Sequence, residues 1–130
     1  MSKKNKKLAE EWIDRAESDL QYARAGEKET AQHHITCFLC HQAVEKILKG
    51  LLVFSGEIPP KTHHVGLLIS KVSAMYPALG ALQTEIRRLD KYYIPARYPD
   101  DTRLDFTPED ANTALEVARK VLDSARQEIR

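Results

Sequence analysis

The stretch Phe38 to Leu52, FLCHQAVEKILKGLL, decides the fold. Its apolar residues recur every three or four positions and do not alternate, which is the period of a helix and not of a strand. Extended in both directions, the pattern predicts a helix from about Thr30 to Phe54, about 37 Å long. Gly56 and then Pro59-Pro60 end it. With His33 set at zero and about 100° per residue, Cys37, Cys40, Val44, Ile47, Leu48 and Leu51 fall within about 60° of it. His34, His41, Gln42, Glu45, Lys46 and Lys49 occupy a second arc, at about 80–220°. The helix is apolar enough to be central, yet it carries a long polar stripe.

That division decides how the pair Cys37–Cys40 is read. A thioredoxin-type CxxC needs a helix N-terminus, where the dipole lowers a thiol pKa. These cysteines lie inside the helix on its apolar side, and four convergent metal ligands are not evident. Buried, inert cysteines are expected, with no metal and no cofactor.

Four further segments complete an all-α reading. A first helix runs from about Lys7 to Ala25, with Leu8, Trp12, Ala16, Leu20 and Ala23 on one face and Gly26 as its stop. A third starts at Thr62 as N-cap, carries Leu67, Leu68, Val72 and Met75, and breaks at Pro77. A fourth spans about Leu79 to Tyr93 and ends at Pro95, leaving IPARYPDD as an ordered turn or loop. The last has the clearest start: Thr107 as N-cap, Pro108 at the first helical position, then Glu109 and Asp110 at the positive end of the dipole. Its stripe is Ala111, Leu115, Ala118, Leu122, Ala125 and Ile129. The fold class expected is an antiparallel four- to five-helix, up-and-down bundle forming one domain over residues 1–130.

Totals narrow the function. A net charge of +1 in 130 residues excludes a nucleic-acid-coating protein, so anion binding must come from local clusters. The basic run in residues 1–7 reads as a short solvated tail. No signal-peptide pattern occurs, and no apolar run approaches ~20 residues. A cytoplasmic location without membrane contact is therefore expected.

Three clusters carry candidate chemistry. His41, Glu45 and Lys49 stand at i, i+4, i+8, with Gln42 and Lys46 one strip over. They read either as a solvated face with a Glu45–Lys49 pair or as a functional groove or polar subunit interface. Lys61-Thr62-His63-His64 opens the third helix. Free amides, the dipole and Lys61 there could hold a phosphate, or Thr62 could merely cap. Tyr92 to Asp101, YYIPARYPDD, sets Arg97 among tyrosines. Its guanidinium fork suits phosphate and its rings suit a base, while pairing of Arg97 with Asp100 or Glu45 is the structural alternative. No nucleophile elbow, Walker loop, HExxH or paired-carboxylate motif is present.

Taken in order, AESDLQYA (Ala16–Ala23), FLCHQAVEKILKGLL, KTHHVGLL (Lys61–Leu68), YYIPARYPDD and TPEDANTALEVA (Thr107–Ala118) resemble the HEPN domain family over nearly the whole chain. The resemblance implies an antiparallel helical bundle, often dimeric, associated with nucleotide or RNA binding. Many prokaryotic members accompany a minimal nucleotidyltransferase, some as toxin–antitoxin pairs. Ribonuclease members carry Arg-x(4–6)-His, assembled across the dimer. Arg97 fits the first position of that motif, but residues 98–104 are Tyr, Pro, Asp, Asp, Thr, Arg and Leu, and all five histidines precede Ile69.

The expectation is therefore a homodimeric module that binds a nucleotide, RNA or a nucleotide-bearing partner. Its groove would be lined by His41, Gln42, Lys46 and Lys49, with Lys61, His63 and Arg97. Glu45, Tyr93, Tyr98 and Asp100 would support the loop. The alternatives are a ribonuclease using Arg97 with His41 or His63 as base, and a structural module in which the stripe is the dimer seam.

Overall fold

The computed structural model describes residues 2–99 and 105–130, without the side chains of Ile94 and Pro95. Among these residues every regular element is helical: α1 (Lys3–Thr30), α2 (His33–Phe54), α3 (Val65–Ser73), α4 (Pro77–Gly80), α5 (Gln83–Arg88), a 3-10 turn (Leu89–Tyr92), α6 (Tyr93–Arg97) and α7 (Pro108–Glu128).

Helix α1 is longer than its sequence suggests at both ends. Ser2 caps it, its hydroxyl accepting from the Asn5 amide at 3.0 Å, so the lysines of the basic run are helical and do not form a frayed tail. Gly26 does not stop it. Glycine in a helix costs only about 1 kcal/mol, and the turn beyond is pinned by Glu27, which accepts from Thr36 and meets His33, each at 2.7 Å. The stop falls at Ala31, in the left-handed region at φ 51°, with its amide bonded to Glu27 O. A link this short makes α1 and α2 an antiparallel hairpin.

The buried line of α1 is Ala9, Ile13, Ala16, Leu20 and Ala23, one residue off the predicted start at Leu8 and Trp12. Gly50 supplies the reason. The two helices approach so closely there that a Cβ on Gly50 would stand 3.0 Å from Trp12 Cβ and 3.3 Å from Ala9 O. Small Ala9 suits that contact, and the indole of Trp12 stays half-exposed beside it.

Helix α2 packs against α1, α3, α6 and α7, which makes it the central helix. Helix α7 begins as predicted. Thr107 and Asp110 form a reciprocal capping box, and Pro108 holds the first position. Phe106 lies beside His34 at the start of α2, and Arg126 reaches Asp14 and Glu17 on α1 at 3.0 and 2.7 Å. Helix α7 thus runs antiparallel to α1.

The predicted fourth helix is delivered in pieces. Pro77 breaks α3 and then starts α4, where its missing amide costs nothing. Pro95 does not end a helix but sits in the first turn of α6, whose amides have no intrahelical partner anyway. The run Tyr93–Arg97 is therefore helical and not loop, and the 3-10 turn before it carries Asp90 to the start of α3.

Both cysteines are free and fully buried. Burial raises the Cys37 thiol to about 12 and pushes Cys40 up as well, so neither is a ready nucleophile. No helix among the described residues is long and apolar enough to cross a membrane.

The α1–α2 contact gives a direct test. Gly50→Val should destabilise the fold by about 2–3 kcal/mol, because the added atoms meet backbone and a Cβ that cannot swing away. Urea unfolding followed by circular dichroism reads this, and an unchanged midpoint would mean the two helices are not so closely packed.

Candidate functional site

The polar stripe of α2 divides in space. Lys46 turns to α1 and donates to Asp19 at 2.6 Å. His41, Glu45 and Lys49 face the other way and are buried, His41 completely. Neither an exposed face nor an open groove is formed by these three. Lys49 donates to Glu45 at 3.0 Å, so the predicted pair exists, but it is enclosed.

What encloses it is the segment leading into α3. That helix starts at Val65, not near Thr62, and the Thr62 hydroxyl accepts only from the His64 amide. The role expected of a phosphate at the helix start is taken by Asp90. Its Oδ1 accepts from the Val65 amide and its Oδ2 from the Gly66 amide, both at 2.9 Å. The Nε2 of His41 lies 3.0 Å from Oδ1. A Cβ on Gly66 would come within 3.0 Å of Oδ2, so glycine is what lets the carboxylate seat. Burial by itself would raise the Asp90 pKa. The hydrogen bonds from His41, Gly66 and Val65 outweigh it and hold the carboxyl below its ordinary value. The Nδ1 of His41 is buried without a partner among the described residues.

Tyr93 links this base to the surface. Its ring is 4.9 Å from that of His41 and is stacked on His63 at 5.4 Å and 13°. Its hydroxyl accepts from Arg97 Nη1 at 2.9 Å. His63 in turn places Nδ1 3.3 Å from both oxygens of Glu45, and its side chain is 60% exposed. The Arg97 guanidinium lies 5.2–5.6 Å from the centroids of Phe38, Tyr93 and Tyr98. Helix α6 is what brings the three rings under one cation, since Tyr93 and Arg97 are one turn apart on it.

The structure thus gathers His41, Glu45, Lys49, His63, Tyr93, Tyr98 and Arg97 and turns Lys46 away. Gln42 is half-buried on α2 and Lys61 is exposed before α3, and neither makes a side-chain hydrogen bond among the described residues. Asp100, and with it the Arg97–Asp100 pair, lies outside the described residues. Asp90, Phe38 and Phe106 join the region without having been singled out. Asp90 sits in an ordinary amphipathic stretch, and only the fold reveals that it caps α3.

Arg97 and Tyr98 also form one wall of an open groove of about 480 Å³. The opposite wall is the start of α2 with Gln32, His33 and His34, and Phe106 closes one side. Gln32 makes no side-chain bond to the amides of the first turn of α2.

The model of the HEPN domain matches residues 9–128. The chain belongs to the HEPN domain family. Two solved structures share its fold. TT1696 from Thermus thermophilus is 28% identical with a TM-score of 0.82, covering 92% of this chain and 97% of that one. ST0689, described as an archaeal HEPN homologue, is 31% identical with a TM-score of 0.75, covering 94% and 98%. No curated protein matches the chain. In this HEPN domain the place of the motif arginine is held by Arg97 on an aromatic platform, with His63 as the exposed histidine nearest to it through Tyr93.

Asp90 sets a pH dependence of stability. Its folded pKa is lowered, so its contribution is present above the ordinary carboxylate range and lost as pH falls through the lowered value. Asp90→Asn should cost about 1.5–3 kcal/mol at neutral pH. The gap from wild type should close in acid as wild-type Asp90 protonates, and thermal melts across that range check it. A gap independent of pH would remove Asp90 as the titrating group.

Proposed function

We propose that this HEPN domain is a cytoplasmic, homodimeric binding module for a nucleotide or a nucleotide-bearing partner, with Arg97 as its anion contact. The observation that supports it is the position of Arg97, seated on three aromatic rings at the rim of an open groove. The hydroxyls of Tyr93 and Tyr98 accept from its two terminal nitrogens, at 2.9 and 3.4 Å. These bonds use two of the five N–H groups of a guanidinium. Arginine so held loses little side-chain freedom on meeting a phosphate, which favours affinity. The first turn of the 22-residue helix α2 adds uncapped amides across the groove. Tyr98 and Phe106 offer faces for a base. Family membership supports a minimal nucleotidyltransferase as the companion, in some settings a toxin–antitoxin pair.

Calorimetry with ATP and with short oligoribonucleotides tests this. Binding by the wild type should fall at least about tenfold in Arg97→Ala, as expected for loss of a charge-assisted contact. No binding by the wild type, with the companion present or absent, sinks the reading.

The pairing of His63 with Glu45 favours a second reading, RNA cleavage. A carboxylate on Nδ1 orients the ring and leaves Nε2 for proton transfer. His63 would take the proton of a ribose 2′-hydroxyl as that oxygen attacks phosphorus, Arg97 would hold the phosphate, and water would protonate the departing 5′-oxygen. Purified wild type should then cleave single-stranded RNA, and His63→Gln should lower the rate by at least about a hundredfold. Intact RNA after incubation with the wild type rejects it.

A further inference from the structure

The outward side of α1 carries Leu8, Trp12, Arg15, Asp19 and Tyr22, spaced 4, 3, 4, 3. This is the spacing of a coiled-coil seam. It lies beside the line that α1 buries in its own core. Leu8 is 43% and Tyr22 77% exposed, Arg15 is exposed, and Trp12 and Asp19 are half-covered. Leu8, Glu11, Trp12, Arg15 and Lys46 surround a shallow cavity of about 300 Å³. Among the described residues no carboxylate forms an ion pair with Arg15, and Lys46 engages only Oδ2 of Asp19. At Gly26, one further step along the same spacing, a Cβ would meet nothing within 4 Å.

We infer that this face is the seam of a homodimer, in which α1 packs antiparallel on α1 of a second copy. The charges are self-complementary. With a two-fold axis level with Glu17, Arg15 stands opposite the partner subunit's Asp19, and Trp12 stands opposite the partner subunit's Tyr22. Leu8 stands opposite the partner subunit's Gly26, whose open side receives it. Each pair occurs twice, as an isologous interface requires. The central ion pairs set the register, and the flanking aromatic and aliphatic contacts exclude water around them. On α2, Ile35, Leu39, Gln42 and Lys46 repeat the 4, 3, 4 spacing, and Lys46 touches Asp19, so a second line runs beside the first. Together the lines offer the breadth that a patch of about 800 Å² per partner needs. The seam also accounts for a glycine within α1, where another residue would suit the monomer better.

The dimeric state comes from the proposed function, and the seam rests on that part of it alone. Sedimentation velocity of the full chain over a wide concentration range, with emission from Trp12, the single tryptophan, reads the association. The wild type should dimerise, with Trp12 emission shifting as it does. Arg15→Glu alone and Asp19→Lys alone should each weaken self-association at least about tenfold, because each sets like charges opposite one another. Mixed one to one, these two variants should associate with each other, since the mixed pair restores opposite charges at both crossings. Gly26→Trp should weaken association while leaving the circular-dichroism spectrum unchanged, since its bulk enters open space in the monomer. A wild type that stays monomeric means that the face meets some other partner or none, and overturns the seam. So does full dimerisation of both charge variants, or failure of their mixture to associate. None of the three residues lines the Arg97 groove, so ligand binding persists in the variants if the groove reading is right and fails independently if it is wrong.

Discussion

The carboxylate of Asp90 is the joint on which the site depends. It accepts from the first two amides of α3 and meets His41 of α2, so one side chain ties three elements. An uncapped helix start buried against a neighbour is costly. Asp90 removes that cost from 25 residues away, where a local cap would use a residue next to the helix. Once it is seated, the His41 ring is fixed, and Tyr93 rests against that ring. His63 and Arg97 then take their places on Tyr93. Order passes from a buried ion pair to an exposed cation through a single aromatic ring.

The Glu45–Lys49 pair illustrates how a helical period misleads about environment. At i, i+4 such a pair on a surface contributes only a few tenths of a kcal/mol. Here both side chains are about nine-tenths covered, and His63 adds a third polar partner. Burial of an ion pair seldom stabilises relative to apolar packing, because desolvation offsets the attraction. Its effect is on uniqueness: the Lys61–His64 segment can close over α2 only where His63 meets the carboxylate. The polar stripe is therefore a lock for the segment that carries His63.

Much of the fold was legible because its determinants are local. The Thr107–Pro108–Asp110 start of α7, the core face of α2 and the placement of the cysteines on that face follow from neighbours within one or two turns. The all-helical class follows from the period. What escaped depends on distant partners. The extension of α1 past Gly26 needs Glu27 to meet His33 and Thr36 across the turn. The shift of its core line from Trp12 to Ile13 needs Gly50. The start of α3 at Val65 in place of Thr62 needs Asp90. Arg97 and its tyrosines were visible as an unusual composition, yet the participation of Phe38 was not, since only the fold brings α6 over the middle of α2.

A helical wheel places Gln42 and Lys46 next to Glu45 and Lys49, and in sequence they form one cluster. In space the neighbours of α2 pull them apart. The line of His41, Glu45 and Lys49 is covered by α3 and α6 and supports the Arg97 platform. The line of Gln42 and Lys46 borders α1, where Lys46 steadies Asp19. One central helix can therefore serve two faces, one that supports a ligand contact and one that borders a self-complementary seam. Because both lines are fixed to the same rigid helix, a second copy joined at α1 would hold two Arg97 grooves in a set relation. A ligand or partner long enough to reach both would then bind more tightly than either groove alone allows.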